Sequence, residues 1–239
     1  MFLWILLGAH FVADFSLQST NLAERKTESF RWLVVHALIY AIVVAGAIFL
    51  LVPVRVAWIP FLIIIITHFI IDAIRVWLDK KLKKAAAHFF SFVIDQILHV
   101  LVIYASVCYW ELNGQIRNWL TDLASTVPLE QILRYVLIFI LILDPAAVFV
   151  KKLSSCASSG INNGDPKNEP PVGRIIGKLE RIITVILVLY NEIGAIGFVL
   201  TAKSLARYKQ LDNQNFAEKY LVGTLSSTAF AIVVALLLR

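Results

Sequence analysis

The sequence has little charge, and this shortage excludes an ordinary soluble domain. Asp, Glu, Lys and Arg make up 16% of the 239 residues and apolar residues make up 59%, against about 25% and roughly 45–50% in soluble proteins. Several continuous apolar runs approach the ~20 residues that a helix needs to cross a bilayer. Because backbone groups in lipid must be hydrogen-bonded within their own segment, such runs predict helices and not strands. We therefore predict an all-α fold, a polytopic transmembrane helix bundle of about seven membrane helices.

Cysteine is almost absent, which argues against metal or redox sites built on thiolates. The chain has two cysteines, Cys108 and Cys156, without the close spacing of metal-binding cysteines. The topology predicted below places them on opposite sides of the membrane, so we also predict no disulfide. The net charge of +6 is typical of the basic cytoplasmic loops of a membrane protein, and we expect no nucleic-acid partner.

The apolar runs divide the chain into seven predicted helices. They cover residues 2–18, 32–52, 58–78, 86–110, 129–150, 175–201 and 217–238. Nothing basic precedes the apolar core of the first run, so we interpret it as a retained helix and not as a signal peptide. The predicted organisation is a single membrane domain, with five helices in 1–150, a polar cytoplasmic loop in 151–173 and two helices in 174–239.

Basic residues predict the orientation of these helices. One side of the membrane collects Arg25, Lys26, Arg31, the four lysines between 80 and 84, Lys151, Lys152, Lys167 and Arg239. The other side collects Arg55, Arg117, Lys203, Arg207 and Lys209. The positive-inside bias then predicts a multi-pass protein of the cytoplasmic (inner) membrane, with the N-terminus outside and the C-terminus inside.

Seven His and Asp residues lie within the apolar runs, where polar side chains are costly. Three pairs are four residues apart, and a lone histidine completes the set: His10 with Asp14, His68 with Asp72, Asp95 with His99, and His36. Residues at this spacing share one helix face, with Cβ atoms about 5–6 Å apart. The predicted topology places all seven in the cytoplasmic half of the membrane, within a band of about 10–15 Å.

Metal ligation explains these residue types. Imidazole nitrogens and carboxylate oxygens are the usual ligands of Zn, Mn and Fe, and the seven residues suffice for one or two divalent ions. Asp14, Asp72 and Asp95 are also candidates for a general base. Other candidates, to orient a ligand or bind a substrate, are Gln18, Gln96, Asp144, Glu192, Lys203 and Arg207. Two other interpretations stay open, a structural His–Asp hydrogen-bond network and a proton or cation pathway.

Several of these motifs resemble a bacterial integral-membrane family, the domain of unknown function DUF3307. The resemblance rests on residues 8–18, 67–72 and 95–99, and on the tail segments 194–204 and 216–224. Polar residues of the tail that match the family's pattern are Glu180, Arg181, Lys203, Ser204, Arg207 and Glu218. The HxxxD pairs are also similar to those of YdjM-type membrane-bound metal-dependent hydrolases. That likeness implies metal-dependent hydrolysis without indicating a substrate.

The leading functional hypothesis is a metal-dependent hydrolase that acts on a lipid-linked or cytoplasm-derived substrate. A bound ion would lower the pKa of water to near neutrality, and a nearby Asp would act as base. One alternative is a proton or metal-ion transporter or channel that uses the same residues. Another is a non-catalytic membrane subunit of a complex. The expected partners are membrane lipids, and a second copy of the chain or a membrane-complex partner.

Overall fold

The structure, a computed structural model, describes residues 1–18, 20–157 and 171–239, and every regular element in these ranges is a helix. The helices are α1 (Phe2–Phe11), α2 (Thr20–Glu28), α3 (Phe30–Leu51), α4 (Val54–Asp79), α5 (Ala85–Tyr109), α6 (Asn118–Thr126), α7 (Leu129–Ala157), α8 (Pro171–Leu189), α9 (Ile193–Ala206) and α10 (Gln214–Leu238). A π-helical turn, Val12–Ser16, extends α1, and short 3-10 turns lie at Leu112–Gly114 and Tyr208–Gln210.

Five of the described helices are long and apolar enough to cross a membrane. They are α3, α4, α5, α7 and α10, with 22 to 29 residues each. The prediction of an all-α polytopic membrane protein is therefore confirmed, whereas the count of about seven membrane helices is not. The first predicted span is the shorter apolar helix Phe2–Ser16.

The predicted sixth helix, residues 175–201, is wrong because the structure divides it into α8 and α9. The break lies at Tyr190–Glu192, where Asn191 has a backbone φ of 68°. Asn enters this left-handed region more readily than most residues. The N–H of Glu192 donates to the carbonyl of Leu187 at 2.7 Å, a wide turn of the kind that ends helices.

The chain forms two compact units. The first contains Met1–Lys83 and Phe90–Leu137, and the second contains Lys84–Phe89 and Ile138–Arg239. Helix α7 extends to Ala157, beyond the start of the polar loop expected at 151–173. Most of that loop, residues 158–170, lies outside the described residues. The division at 150 and 174 therefore stays a prediction.

Buried stripes in the first unit explain how the fold positions its polar residues. In α3 the buried residues recur every three or four positions: Leu33, His36, Tyr40, Val44, Ile48 and Leu51. In α4 the stripe is Ala57, Pro60, Ile64, His68 and Asp72, and in α5 it includes Phe92, Asp95, His99 and Ile103. This spacing keeps each stripe on one face of its helix. The same faces that form the apolar core therefore carry the histidines and aspartates inward.

Candidate metal centre

All seven predicted ligands are buried in the first unit. Their exposed fractions lie between 0% and 3% for His10, Asp14, His36, His68, Asp72, Asp95 and His99. The ring centroid of His68 lies 4.5 Å from that of His99 and 5.4 Å from that of His36. The ring of His10 lies 5.2 Å from that of His99. The structure thus gathers side chains from α1, its π-helical extension, α3, α4 and α5 into one cluster.

Four of the residues form a first ligand set, consisting of Asp14, His36, His68 and Asp72. One ligand atom from each lies within 4.8 Å of those of the other three. His36 Nε2 lies 3.1 Å from Asp14 Oδ1 and 3.1 Å from Asp72 Oδ2. Around a tetrahedral ion with bonds of about 2.0–2.1 Å, neighbouring ligand atoms lie roughly 3.3 Å apart. The spacing of this set suits one bound ion.

The ligand atoms of this set are close together without being hydrogen-bonded to one another. Asp14 Oδ1, His36 Nε2 and both ring nitrogens of His68 make no hydrogen bond within the described residues, although all are buried. The large majority of buried side-chain polar atoms in proteins have a hydrogen-bond partner, so several orphaned atoms in one place are unusual. An ion bound between them would supply the missing partner.

A second set shares Asp72 with the first and adds Asp95 and His99. Its three ligand atoms also lie within 4.8 Å of one another. His99 Nδ1 lies 2.9 Å from the backbone carbonyl of Asp95, to which it donates, so that Nε2 carries the lone pair. That Nε2 atom is buried and makes no hydrogen bond within the described part of the chain.

Two basic residues that the sequence analysis did not assign to the cluster balance most of its charge. Lys26 Nζ of α2 lies 3.1 Å from Asp72 Oδ2, and Arg75 Nη1 lies 2.8 Å from Asp95 Oδ2. Arg75 follows Asp72 by three residues on α4, so helical spacing could have identified it. Lys26 has no such signal, because only the tertiary fold brings α2 to α4.

Neutral side chains hold the ligands in place. Gln96 donates to Asp14 Oδ2 at 2.9 Å and to Asp95 Oδ2 at 3.0 Å. With its amide nitrogen facing the Asp14 carbonyl, Gln18 donates to that oxygen at 2.7 Å and accepts from Lys26 Nζ at 2.9 Å. Such contacts are typical of the groups that orient metal ligands without binding the metal themselves.

Tyr40 contacts two of the histidines, and it is another residue that the sequence analysis missed. Its ring stacks on that of His68 with centroids 3.5 Å apart and an angle of 2°. Its hydroxyl lies 3.1 Å from His10 Nδ1. Tyr40 follows His36 by four residues, a spacing that places both on one face of α3.

Asp14 lies within the π-helical turn that extends α1. Val12–Ser16 forms this turn, and the N–H of Leu17 donates to the carbonyl of Val12 at 2.9 Å. Single π-turns within α-helices are rare and frequently lie at functional sites. This turn contains Asp14, which belongs to the first ligand set and whose Oδ1 lies 3.1 Å from His36 Nε2.

Comparison with known proteins identifies the family. The sequence model described as "Protein of unknown function (DUF3307)" matches residues 2–127, which is more than half of the chain. The protein belongs to the DUF3307 family. All seven predicted ligands lie within the matched residues, whereas the tail segments 194–204 and 216–224 lie outside them. No curated protein and no solved structure matches the chain, and the resemblance to YdjM-type hydrolases is not shown.

Four predicted polar residues of this DUF3307 protein belong to the second unit and have other surroundings. Asp144 Oδ1 lies 2.6 Å from Lys178 Nζ, and Lys203 Nζ lies 2.5 Å from Glu180 Oε2. The Arg207 guanidinium lies 5.9 Å from the ring centroid of Tyr220, and Glu192 is exposed in the turn before α9. The cluster described above is therefore built from the first unit alone. The predicted membrane depth of Asp144 is similar to that of the cluster, so depth alone could not show that Asp144 lies outside it.

Proposed function

We propose that this protein is an intramembrane metal-dependent hydrolase whose divalent ion is bound by Asp14, His36, His68 and Asp72. One observation carries the proposal. Four buried ligand atoms lie within 4.8 Å of one another, and atoms of all four side chains lack a hydrogen bond among the described residues. A set of two imidazoles and two carboxylates, without thiolate, favours Zn²⁺, Mn²⁺ or Fe²⁺.

The chemistry of hydrolysis follows from this ligand set and its neighbours. A bound divalent ion supplies a water molecule of lowered pKa and polarises the bond to be cleaved. Among the predicted bases, Asp14 and Asp72 are ligands, which leaves Asp95 to accept a proton. Arg75 and Gln96 hold Asp95 Oδ2, and Asp95 Oδ1 makes no hydrogen bond in the described ranges. That free oxygen is the one positioned for general base catalysis.

The position of the cluster along the helices suggests a lipid-linked substrate. His36 lies six residues after the start of α3, and Asp72 lies seven residues before the end of α4. At the rise of an α-helix these offsets correspond to about 9 and 10 Å. A substrate with its apolar part in the bilayer and its reactive group near the boundary would reach this depth.

Metal analysis of the purified protein tests the proposal. The wild-type protein, purified in mild detergent without chelator, should contain at least one Zn, Mn or Fe ion per chain by mass spectrometry. His36→Ala and His68→Ala should lose this ion, because each removes a nitrogen ligand from the first set. His88→Ala is the matched control, since His88 lies in the second unit, and it should retain the metal.

Three outcomes would contradict the proposal in different ways. The proposed metal site would be contradicted if the purified protein contained no metal and if adding each of the three ions did not change its thermal midpoint. Ion uptake into proteoliposomes that disappears in Asp72→Asn would identify a transporter instead. Loss of folding in both histidine variants, without metal in the wild type, would identify a structural network.

A further inference from the structure

We propose that the centre binds two divalent ions that share Asp72, and that it acts on a phosphate ester. This inference rests on the proposed function and extends it to the second ligand set, Asp72, Asp95 and His99. Their ligand atoms lie within 4.8 Å of one another, and all three residues are buried. Buried acidic groups alone would not make a site, but three further observations support this one.

The first observation is that the second set offers unpartnered ligand atoms. His99 Nε2, Asp95 Oδ1 and Asp72 Oδ1 make no hydrogen bond to any described residue, and the three residues are 1% to 3% exposed. A buried donor or acceptor that makes no hydrogen bond has lost its hydration without compensation, so folded proteins rarely contain such atoms. Three such atoms from three side chains therefore indicate that this position binds a ligand.

The second observation is that the other atoms of these side chains are already fixed. The Asp95 carbonyl accepts from His99 Nδ1 at 2.9 Å, and Asp95 Oδ2 accepts from Arg75 at 2.8 Å. Histidine ligands of metals commonly donate a hydrogen bond from their other ring nitrogen to a carbonyl. Carboxylate ligands are likewise hydrogen-bonded through other groups. Each side chain is left with one atom to bind an ion.

The third observation is that the two ligand sets are adjacent and connected. Asp72 belongs to both sets, and its Oδ2 lies near His36 and His68 of the first set, at 3.1 and 3.9 Å. Its Oδ1 remains for a second ion. Gln96 donates to Asp14 of the first set and to Asp95 of the second. In centres with two ions the metals lie about 3.5–4 Å apart, a distance that one carboxylate can bridge.

The charge of the occupied centre indicates the class of substrate. Asp14, Asp72 and Asp95 carry three negative charges, and Lys26 and Arg75 carry two positive charges beside them. Two divalent ions would leave the buried cluster with an excess of positive charge, and such an excess requires an anion. A phosphate ester brings that negative charge in its reacting group, whereas a carboxylic ester or amide does not.

Hydrolysis of a phosphate ester at this centre would change the role of Asp95. Water adds its oxygen to phosphorus, the ester P–O bond breaks, one water proton leaves with the alcohol and the other remains on the phosphate. Asp95 is then a ligand and no longer the base. His10 belongs to neither ligand set, its Nδ1 lies 3.1 Å from the Tyr40 hydroxyl, and its Nε2 is without a hydrogen bond in the described chain. His10 is therefore a histidine of the cluster that lies outside both ligand sets.

Metal counting separates this inference from the proposed function. After loading with Mn²⁺ and removal of free ion, the wild type should bind two ions per chain and show the paramagnetic resonance spectrum of a coupled manganese pair. His99→Ala should bind one ion and lose the pair spectrum, and Asp95→Asn serves as a second variant should His99→Ala fail to fold. The His88→Ala control should keep both ions. One uncoupled ion in the wild type would overturn the inference and leave the proposed function intact, whereas no ion would overturn both.

Inorganic phosphate tests the substrate class. Phosphate should raise the thermal midpoint of the wild type loaded with two ions, because a ligand that binds only the folded state stabilises it. Acetate at the same concentration and ionic strength should not. His99→Ala loaded with one ion should lose most of the phosphate effect. An equal effect of phosphate in the wild type and His99→Ala, or no effect in either, would overturn the assignment of a phosphate ester.

Discussion

Arg75 shows at the scale of one residue how the cluster tolerates buried carboxylates. Its guanidinium lies 2.8 Å from Asp95 Oδ2 and 3.8 Å from Asp79 Oδ2, and its side chain is 17% exposed. The same group lies 5.3 Å from the ring centroid of Phe92. An ion pair of this kind is not evidence of high stability, because both charges lose hydration. Removal of one partner alone, however, leaves the other as an uncompensated buried charge.

We expect Arg75→Met to destabilise the metal-free protein by about 3–5 kcal/mol, the usual cost of breaking a buried ion pair. The double variant Arg75→Met/Asp95→Asn should recover part of that loss, since the orphaned carboxylate is gone. Unfolding in mixed detergent micelles, with chelator present, measures both effects. Arg55→Met, which changes an exposed arginine of the same helix, is the control and should stay within about 0.5 kcal/mol of the wild type. A double variant less stable than Arg75→Met would contradict this account.

Local spacing predicted the ligand candidates but only some of their partners. His68 and Asp72 could be recognised because polar residues one helical turn apart stand out in an apolar run. Arg75 continues the same face, but an arginine close to a helix end has an ordinary explanation in a membrane protein. Lys26 could not be found in this way. It reaches Asp72, 46 residues later in the chain, only because α2 packs against the following helices.

At the scale of an element, one arginine of the second unit links α7, which contains a proline, to α8 and α10. Pro145 lies inside α7, and a proline has no N–H to offer the carbonyl four residues before it. Arg181 of α8 donates through Nε to the carbonyl of Ile142 and through Nη2 to that of Leu143 at 3.1 Å. Its Nη1 donates to Ser227 Oγ of α10 at 3.1 Å. One guanidinium therefore joins three helices, at carbonyls one and two residues after the one that Pro145 leaves without a donor.

Arg181→Met should lower the thermal midpoint of the protein, because three hydrogen bonds of a charged group are lost from a buried position. Hydrogen bonds of this type contribute about 1.5–3 kcal/mol each, although such values are not additive. Arg174→Met is the matched control, since Arg174 is an exposed residue of the same helix, and it should leave the midpoint nearly unchanged. Equal midpoints for the two variants would show that Arg181 does not stabilise this unit.

The helix boundaries illustrate which elements the sequence can predict. Helices α3, α4, α5, α7 and α10 were all anticipated within a few residues, except that α7 runs beyond 150, because each combines length with an apolar composition. The division between α8 and α9 was missed, because the apolar run continues through it and a single asparagine in the left-handed region ends α8. The short helix α2 was also missed. Its nine residues are mostly polar, and a helix of that length depends on tertiary contacts.

At the scale of the whole molecule, the number of crossings determines which ends of the helices share a side of the membrane. Five described helices are long enough to span it, and α7 is the only one of them between Cys108 and Cys156. Helix α6 also lies in that interval, but its nine residues correspond to about 14 Å, too short for a hydrocarbon core of about 30 Å. The two cysteines should therefore lie on opposite sides.

The two cysteines thus allow a direct test of this topology. In the single variants Cys108→Ser and Cys156→Ser, the remaining thiol is labelled with a membrane-impermeant maleimide in spheroplasts and in inverted membrane vesicles. Cys156 follows Lys151 and Lys152 on α7, so the positive-inside bias predicts labelling in inverted vesicles only. Cys108, at the opposite end of the crossing, should react in spheroplasts only. The double variant without cysteine controls for background. Labelling of both thiols from one side would mean that α7 does not cross the membrane once. The cytoplasmic side assigned to the start of α3 and to the end of α4 would then be unsupported, and so would the cytoplasmic position of the metal centre.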